Sequence, residues 1–202
     1  MVGKRLLLAT NNPGKAAEYR ALLQGCGWEL ATPRDLGLHL EVEEGGGGYA
    51  ENARIKAEAF AKASGLLALA DDSGIEVDAL GGAPGPLSAR FGGDDISDAQ
   101  RVALLLERLK GVPPERRSAR FRCLIAVAWP EGKVSFFEGQ CEGRIAEEPR
   151  GESGFGYDPV FLLPERGLTI AELPPEEKNA VSHRGRAARQ ARALLEELIR
   201  EC

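Results

Sequence analysis

The spacing of hydrophobic and polar positions changes several times along the chain, and each change marks the edge of an element. Leu6-Leu7-Leu8-Ala9 is a short apolar run cut off by Thr10-Asn11-Asn12-Pro13-Gly14. From Lys15 onward Ala17, Ala21 and Leu22 recur on one helical face, so the opening reads as strand, loop and helix. A second extended piece at 29–31 is followed by turn residues and by Glu43-Glu44-Gly45-Gly46-Gly47-Gly48, a run whose glycines make any regular element costly. Residues 49–64 are rich in Ala, Glu and Lys and stop at Gly65, the pattern of a helix with a glycine end signal. Residues 66–70 then read as a buried strand that delivers Asp71-Asp72-Ser73-Gly74 at its end.

Further along, 75–80 reads as another strand before the turn-rich Gly81-Gly82-Ala83-Pro84-Gly85-Pro86, and Ser97 or Asp98 caps a helix running to Lys110. Residues 121–129 and 133–140 form a hairpin about the turn Pro130-Glu131-Gly132. After Phe155-Gly156-Tyr157-Asp158-Pro159, residues 160–163 are extended. The chain closes with a helix that has Ser182 as N-cap and an apolar stripe of Ala187, Ala191, Leu194, Leu195 and Leu198. Early strands alternate with helices and later ones form a hairpin. The expected fold is therefore α/β, a central mixed β-sheet flanked by helices; the length suits a single domain over 1–202, expected to be two-lobed, and an active cleft is expected between the lobes.

Composition narrows the function classes. At 202 residues, 43% hydrophobic and 28% charged, the chain is long enough to bury a sizeable core. No apolar run approaches the roughly 20 residues of a membrane helix, and the faint signal-peptide look of Lys4-Arg5-Leu6-Leu7-Leu8 stops at the Thr10 loop. A soluble cytoplasmic protein with no membrane partner is expected. A net charge of -5 does not suit a nucleic-acid binder, whose affinity comes chiefly from clustered Lys and Arg. Cys26, Cys123, Cys141 and Cys202 show no zinc-like spacing and read as reduced thiols.

Several constellations carry candidate chemistry. Thr10-Asn11-Asn12-Pro13-Gly14-Lys15 is a strand-to-helix loop offering backbone N–H groups and a lysine to phosphate oxygens, although Ala9 and Ala16 stand where a Walker loop needs Gly and Ser or Thr. Asp71-Asp72 is an acidic pair of the kind that serves magnesium, as is Glu43-Glu44 in the glycine-rich loop. Because side chains alternate along a strand, Asp71 and Asp72 are expected on different faces. Asn52 and Lys56 share a helical face from which Lys56 reaches a phosphate or Asp71. Phe155-Gly156-Tyr157-Asp158 supplies a ring to stack on and a carboxylate to read an edge, and Lys178, Ser182, His183 and Arg184 bring donors to one helix N-terminus. Taken singly, each also has a purely structural explanation.

Their order along the chain resembles the inosine triphosphate pyrophosphatase family, the non-canonical purine NTP pyrophosphatases. The resemblance is carried by 8–15, by Glu51-Asn52-Ala53 with Lys56-Ala57, by Ala70-Asp71-Asp72-Ser73-Gly74, by Leu80-Gly81-Gly82-Ala83-Pro84-Gly85 with Ser88-Ala89-Arg90, by 155–159, and by Ser182-His183-Arg184-Gly185. It departs at Gly48-Tyr49, where the family usually has Thr-Phe, and at Phe91-Gly92, where it usually has Tyr-Ser. The resemblance implies hydrolysis of ITP, dITP, XTP and dXTP to a monophosphate and diphosphate, with magnesium as cofactor and a homodimer as the assembly. It assigns Thr10 to Lys15 and Lys56 to the phosphates, Glu44 and Asp72 to magnesium, and Asp72 also to the role of general base. Ser73 contacts the substrate, Phe155 stacks on the base, and Gly156, Tyr157, Asp158, Lys178, His183 and Arg184 complete the nucleotide site. A pyrimidine-directed relative of the fold normally opens with a Ser-Pro-Arg-Arg-like loop, which is absent.

Overall fold

A computed structural model describes residues 4–42 and 47–201. Glu43 and Glu44, including the expected magnesium ligand Glu44, lie outside the described residues. In chain order the elements are β1 (Arg5–Leu8), α1 (Pro13–Leu22), β2 (Glu29–Ala31), α2 (Tyr49–Ser64), β3 (Leu67–Val77), β4 (Pro84–Gly85) and α3 (Asp98–Arg108). Then follow β5 (Ser118–Ala128), β6 (Val134–Ile145), β7 (Phe161–Leu163), β8 (Leu168–Thr169), α4 (Pro175–Val181) and α5 (His183–Arg200). Among the described residues the strands form one mixed sheet in the order β2-β1-β3-β5-β6-β7-β8, with β4 added to β3. Pairs β1–β2 and β1–β3 are parallel; β3–β4, β6–β7 and β7–β8 are antiparallel. The fold class is the α/β one the sequence predicts.

The chain packs as two compact units, one from 1–72, 123–139 and 184–202, the other from 73–122 and 140–183. The first is a three-layer stack built on strict alternation. Leu6 and Leu8 of β1, Leu67 and Leu69 of β3, and Cys123, Ile125 and Val127 of β5 share a core with Tyr19 and Leu23 of the α1 segment and Ala187, Ala191 and Leu195 of α5. The intervening Leu7, Ala68, Ala70, Ala126 and Ala128 face the other way, onto Ala53, Ala57, Phe60 and Ala61 of α2. Alanine on both sides of that second interface keeps helix and sheet in close contact, so a larger side chain there would overpack it. The expected apolar face of α1 is corrected: Ala17 and Ala21 are exposed, and the helix is anchored by Tyr19 and Leu23, one turn apart.

The second unit gathers Ile75 and Val77 of β3, Val102 and Leu105 of α3, Phe121 of β5, Ile145 of β6 and Phe161 and Leu163 of β7 into its own core. Helix α3 starts at a full capping box, in which Ser97 and Gln100 satisfy each other's backbone N–H. It ends at Arg108 and not at Lys110.

Two boundaries differ from expectation in ways that matter for the site. Strand β3 does not stop at Ala70 but runs through Asp71, Asp72, Ser73 and Gly74 to Val77, so the separate strand expected at 75–80 is its continuation plus a 3-10 turn at Asp78–Leu80. The reason lies at Gly74: a Cβ built there meets the Gly85 carbonyl oxygen at 2.1 Å and Ser88 Oγ at 2.7 Å. Glycine admits the 84–88 segment against the strand, so a residue type that usually signals a turn here allows a close approach. Ile75 N donates to Ser88 Oγ at 2.8 Å, and that hydroxyl donates on to Gly85 O. The second difference is α4, which the sequence reading omitted; Ser182 separates it from α5.

Candidate active site

In the first unit the site grows from the turn between β1 and α1. Asn12 caps the helix, its Oδ1 accepting from Lys15 N at 3.0 Å, and Pro13 occupies the first helical position, where a missing N–H costs nothing. Thr10 Oγ1 accepts from Asn12 N at 3.2 Å, which fixes the turn before the cap. Asn11, Asn12 and Pro13 are exposed. The helix therefore begins two residues earlier than expected, with Pro13 and Gly14 inside it.

The alternation of β3 continues into the acidic pair and sends its carboxylates in opposite directions. Asp71 shares the parity of Leu67 and Leu69, and its carboxylate lies among residues of α1 and α5: Lys15 Nζ at 3.1 Å and Arg184 at 3.4 Å. Lys56 of α2 donates to the Asp71 backbone carbonyl at 2.9 Å. Arg184 also donates to Glu18 at 2.6 Å and lies 5.9 Å from the Tyr19 ring centroid. Burial by itself pushes the Asp71 carboxyl up, but Lys15, Arg184 and Lys56 outweigh it and hold the group well below the ordinary carboxylate range. Burial likewise opposes charge on Arg184, and Asp71 and Glu18 override it. Lys15, Arg184 and Lys56 thus gather at Asp71, and such a cluster of cations is suited to an anionic ligand. Cys123 lies in the same buried cluster, its thiol pushed up to about 12 by burial and by the Asp71 charge, which makes it inert and not a nucleophile.

Asp72 shares the parity of Ala68 and Ala70 and turns toward α2, where Asn52 Nδ2 donates to its Oδ2 at 2.9 Å. It is 6% exposed. Among the described residues no three His, Cys, Asp or Glu side chains converge on one point. Magnesium does not need such a cage, since it usually takes one or two carboxylates and completes its sphere with phosphate oxygens and water. Asp72, anchored on one oxygen by an amide, fits that donor chemistry. The Asp71 carboxylate, engaged by two cations, does not.

In the second unit, 154–158 folds tightly around one carboxylate. Asp158 Oδ2 accepts from Phe155 N at 2.9 Å and pairs with Lys178 of α4, both side chains being buried. Lys178 Nζ also stands 4.9 Å from the centroid of the half-buried Phe155 ring. Gly156 N donates to Asp98 Oδ2 at 2.8 Å, and the Tyr157 hydroxyl donates to Ser88 O at 2.9 Å. Burial pushes that hydroxyl up, so it stays a neutral donor. His183 lies flat on Phe121, with centroids 4.6 Å apart and planes 13° from parallel, and Phe161 packs on Phe121 in turn.

Gly154 is required twice over. Its φ is +82°, and a Cβ there would lie 2.1 Å from Asp158 Oδ2. Gly154→Ala is expected to cost about 1–3 kcal/mol from the backbone alone, seen as a lower urea midpoint; an unchanged midpoint would contradict this packing.

A profile of the Ham1 family matches residues 6–194. The chain belongs to the Ham1 family. Among its curated relatives, the dITP/XTP pyrophosphatase of Desulforamulus reducens is 52% identical over 194 residues, covering 96% of each chain. That of Geobacillus kaustophilus is 50% identical over 196 residues, covering 97% of this chain and 96% of the relative. The solved structure of a HAM1 protein from Coxiella burnetii aligns with a TM-score of 0.87 at 42% identity, covering 96% of this chain and 99% of that one.

On this Ham1 fold the residues singled out from sequence fall into two sets. Thr10, Asn11, Asn12, Pro13, Gly14, Lys15, Lys56, Asp72 and Arg184 belong to the first unit; Ser73, Phe155, Gly156, Tyr157, Asp158, Lys178 and His183 belong to the second. Arg184, grouped with His183 from sequence, has Glu18 and Asp71 as its partners. Sequence reasoning missed Glu18, Phe121, Ser88 and the hold of Asn52 on Asp72. Only Glu18 left a local trace, one helical turn after Lys15.

Proposed function

We propose that this protein is a pyrophosphatase acting on non-canonical purine nucleoside triphosphates, dITP and XTP with their counterparts ITP and dXTP, and that it releases diphosphate in a magnesium-dependent reaction. The observation that supports it most is the pair of consecutive carboxylates on β3, one gathering Lys15 and Arg184 while the other is held by Asn52 of α2. Such a division suits a reaction that must both neutralise a polyphosphate and activate water. The names of the Ham1 relatives agree with it.

In the reaction, a water oxygen attacks the α-phosphorus, the bond to the α–β bridging oxygen breaks, and diphosphate leaves. Asp72 accepts the proton from the attacking water; general-base help of this kind is worth about 10²–10⁴-fold. Lys15 and Lys56, with backbone N–H groups of the 10–15 turn, hold phosphate oxygens whose charge rises at the transition state. Magnesium, held by Asp72 and by Glu44, would supply further charge neutralisation at the phosphates.

The base is handled by the second set. Phe155 offers a ring face for stacking, and Lys178 and His183 offer donors to the 6-oxo group that hypoxanthine and xanthine share. Adenine presents an amino donor at that position. A buried donor left facing a donor costs about 1–3 kcal/mol, and sites built on such pairing discriminate by up to about 10⁵-fold.

The test is a panel of dITP, XTP, ITP, dXTP, dGTP and dATP with magnesium, with products separated by chromatography. Monophosphate and diphosphate are expected from the first four. Orthophosphate release, or dATP turned over as fast as dITP, would sink the proposal.

A further inference from the structure

Asn52 carries one atom that neither packing nor hydrogen bonding explains. The residue lies in α2, 5% exposed, and its Nδ2 is spent on Asp72 Oδ2 at 2.9 Å. That bond fixes the orientation of the amide, because the reverse orientation would set Oδ1 against a carboxylate oxygen, acceptor to acceptor. Oδ1 is then shut off from solvent and has no hydrogen-bond partner. Buried polar atoms are nearly always satisfied, and exceptions mark strain, function or a missing ion.

A space-filling role does not account for it. The other buried residues of α2 are Tyr49, Ala53, Ala57, Phe60 and Ala61, and an alanine or leucine at 52 would serve such a face without the orphaned oxygen. Holding Asp72 accounts for Nδ2 only. An amide oxygen next to a carboxylate is, however, a donor pair that a hard divalent cation accepts. Magnesium takes its oxygen ligands at about 2.0–2.1 Å and accepts a neutral carbonyl oxygen beside a carboxylate. The amide is also neutral, so it adds a ligand without cancelling the ion's charge toward phosphate.

We infer that Asn52 is a metal ligand as well as the positioning residue of Asp72: Oδ1 binds the cation that Asp72 holds, while Nδ2 keeps the Asp72 carboxylate turned toward it. The inference rests on the proposed reading of Asp72 as a magnesium-binding residue.

The full chain is titrated with Mn2+ in the absence of nucleotide, and free ion is followed by its electron paramagnetic resonance signal. Asn52→Ala places the best helix former beside existing alanines, so melting within a few degrees of wild type is expected. Its Mn2+ dissociation constant should rise about 10–100-fold, the range seen when partners of metal ligands are removed. Asn52→Asp keeps an oxygen donor and loses the N–H, and should bind Mn2+ at least as tightly as wild type. Mn2+ affinity in Asn52→Ala within twofold of wild type overturns the inference. Asn52→Asp losing as much affinity as Asn52→Ala also overturns it, by leaving only the hold on Asp72. A wild-type chain that takes up no Mn2+ overturns it as well. Failure of the proposed activity shows separately, as absence of diphosphate release from dITP by the wild type.

Discussion

Asp72→Asn is expected to lower diphosphate release from dITP by about 10²–10⁴-fold, the usual worth of a positioned general base. The amide has nearly the volume of the carboxylate, and its Oδ1 can still accept from Asn52 Nδ2, so the bond that anchors residue 72 survives the change. Lys15 and Arg184 meet the Asp71 carboxylate on the opposite face of β3, and Lys56 is held by the Asp71 backbone carbonyl, so all three keep these partners. Melting within about 3 °C of wild type is therefore expected, with binding of inorganic triphosphate in the absence of metal unchanged. Activity above a tenth of wild type would remove Asp72 from the proton-accepting role, whatever happened to metal affinity.

Asp71→Asn should do the reverse, damaging the fold more than the chemistry at residue 72. The Asp71 side chain is 1% exposed and that of Arg184 3% exposed, and removing one member of a buried pair typically costs about 3–5 kcal/mol because the other charge is left stranded. Arg184 retains Glu18, which places the expected loss near the lower end, about 3 kcal/mol. For a chain of this size that corresponds to a drop of roughly 6–12 °C in melting temperature.

The effect also has a pH signature. Lys15, Arg184 and Lys56 hold the folded-state Asp71 carboxyl well below its ordinary value of 3.8 against the opposing pull of burial. Its contribution is thus fully present above about pH 4 and fades as pH falls through the lower folded-state value. Wild-type and Asp71→Asn stabilities should stand apart near neutrality and converge in acid. Parallel curves from pH 7 down to pH 2 would mean that the cations do not depend on Asp71.

What the sequence made legible depended on how local each signal was. Helix α2 emerged with both ends, because a glycine follows its last residue and its composition is that of a helix throughout. The stripe Ala187, Ala191 and Leu195 on α5 was equally plain. The hairpin turn before β6 was found from Pro130-Glu131-Gly132, and Gly132 N does donate to Trp129 O at 2.9 Å. Gly74 misled, since a glycine of the kind that marks a turn instead lets 84–88 approach the strand. Helix α4 had readable signals, Pro175 at its first position and Glu176 and Glu177 in its first turn, but at seven residues it was too short to show a period.

Within the site, the opposite facing of Asp71 and Asp72 was legible from the two-residue repeat of a strand, whereas the company each keeps was not. Glu18 lies 166 residues from Arg184, and Phe121 is also far from His183 along the chain. Pairings of that reach are set by helix packing on a sheet, and no window of sequence contains them. The role of the Leu80 to Arg90 segment was likewise invisible until Ser88 was seen to receive the Tyr157 hydroxyl and tie β3 to Gly85.

The Ala-lined strand that carries two adjacent carboxylates also limits how this chain can diverge. Because the faces of β3 alternate, gaining or losing a single residue between Leu67 and Asp71 would exchange the surroundings of Asp71 and Asp72, putting the cation-gathering carboxylate against α2 and its neighbour among the cations. Substitutions one at a time leave that assignment intact, and only paired insertions or deletions restore it. The strand therefore acts as a reading frame in three dimensions, in which length changes of odd size exchange the surroundings of the two carboxylates while substitutions leave each residue on its own face.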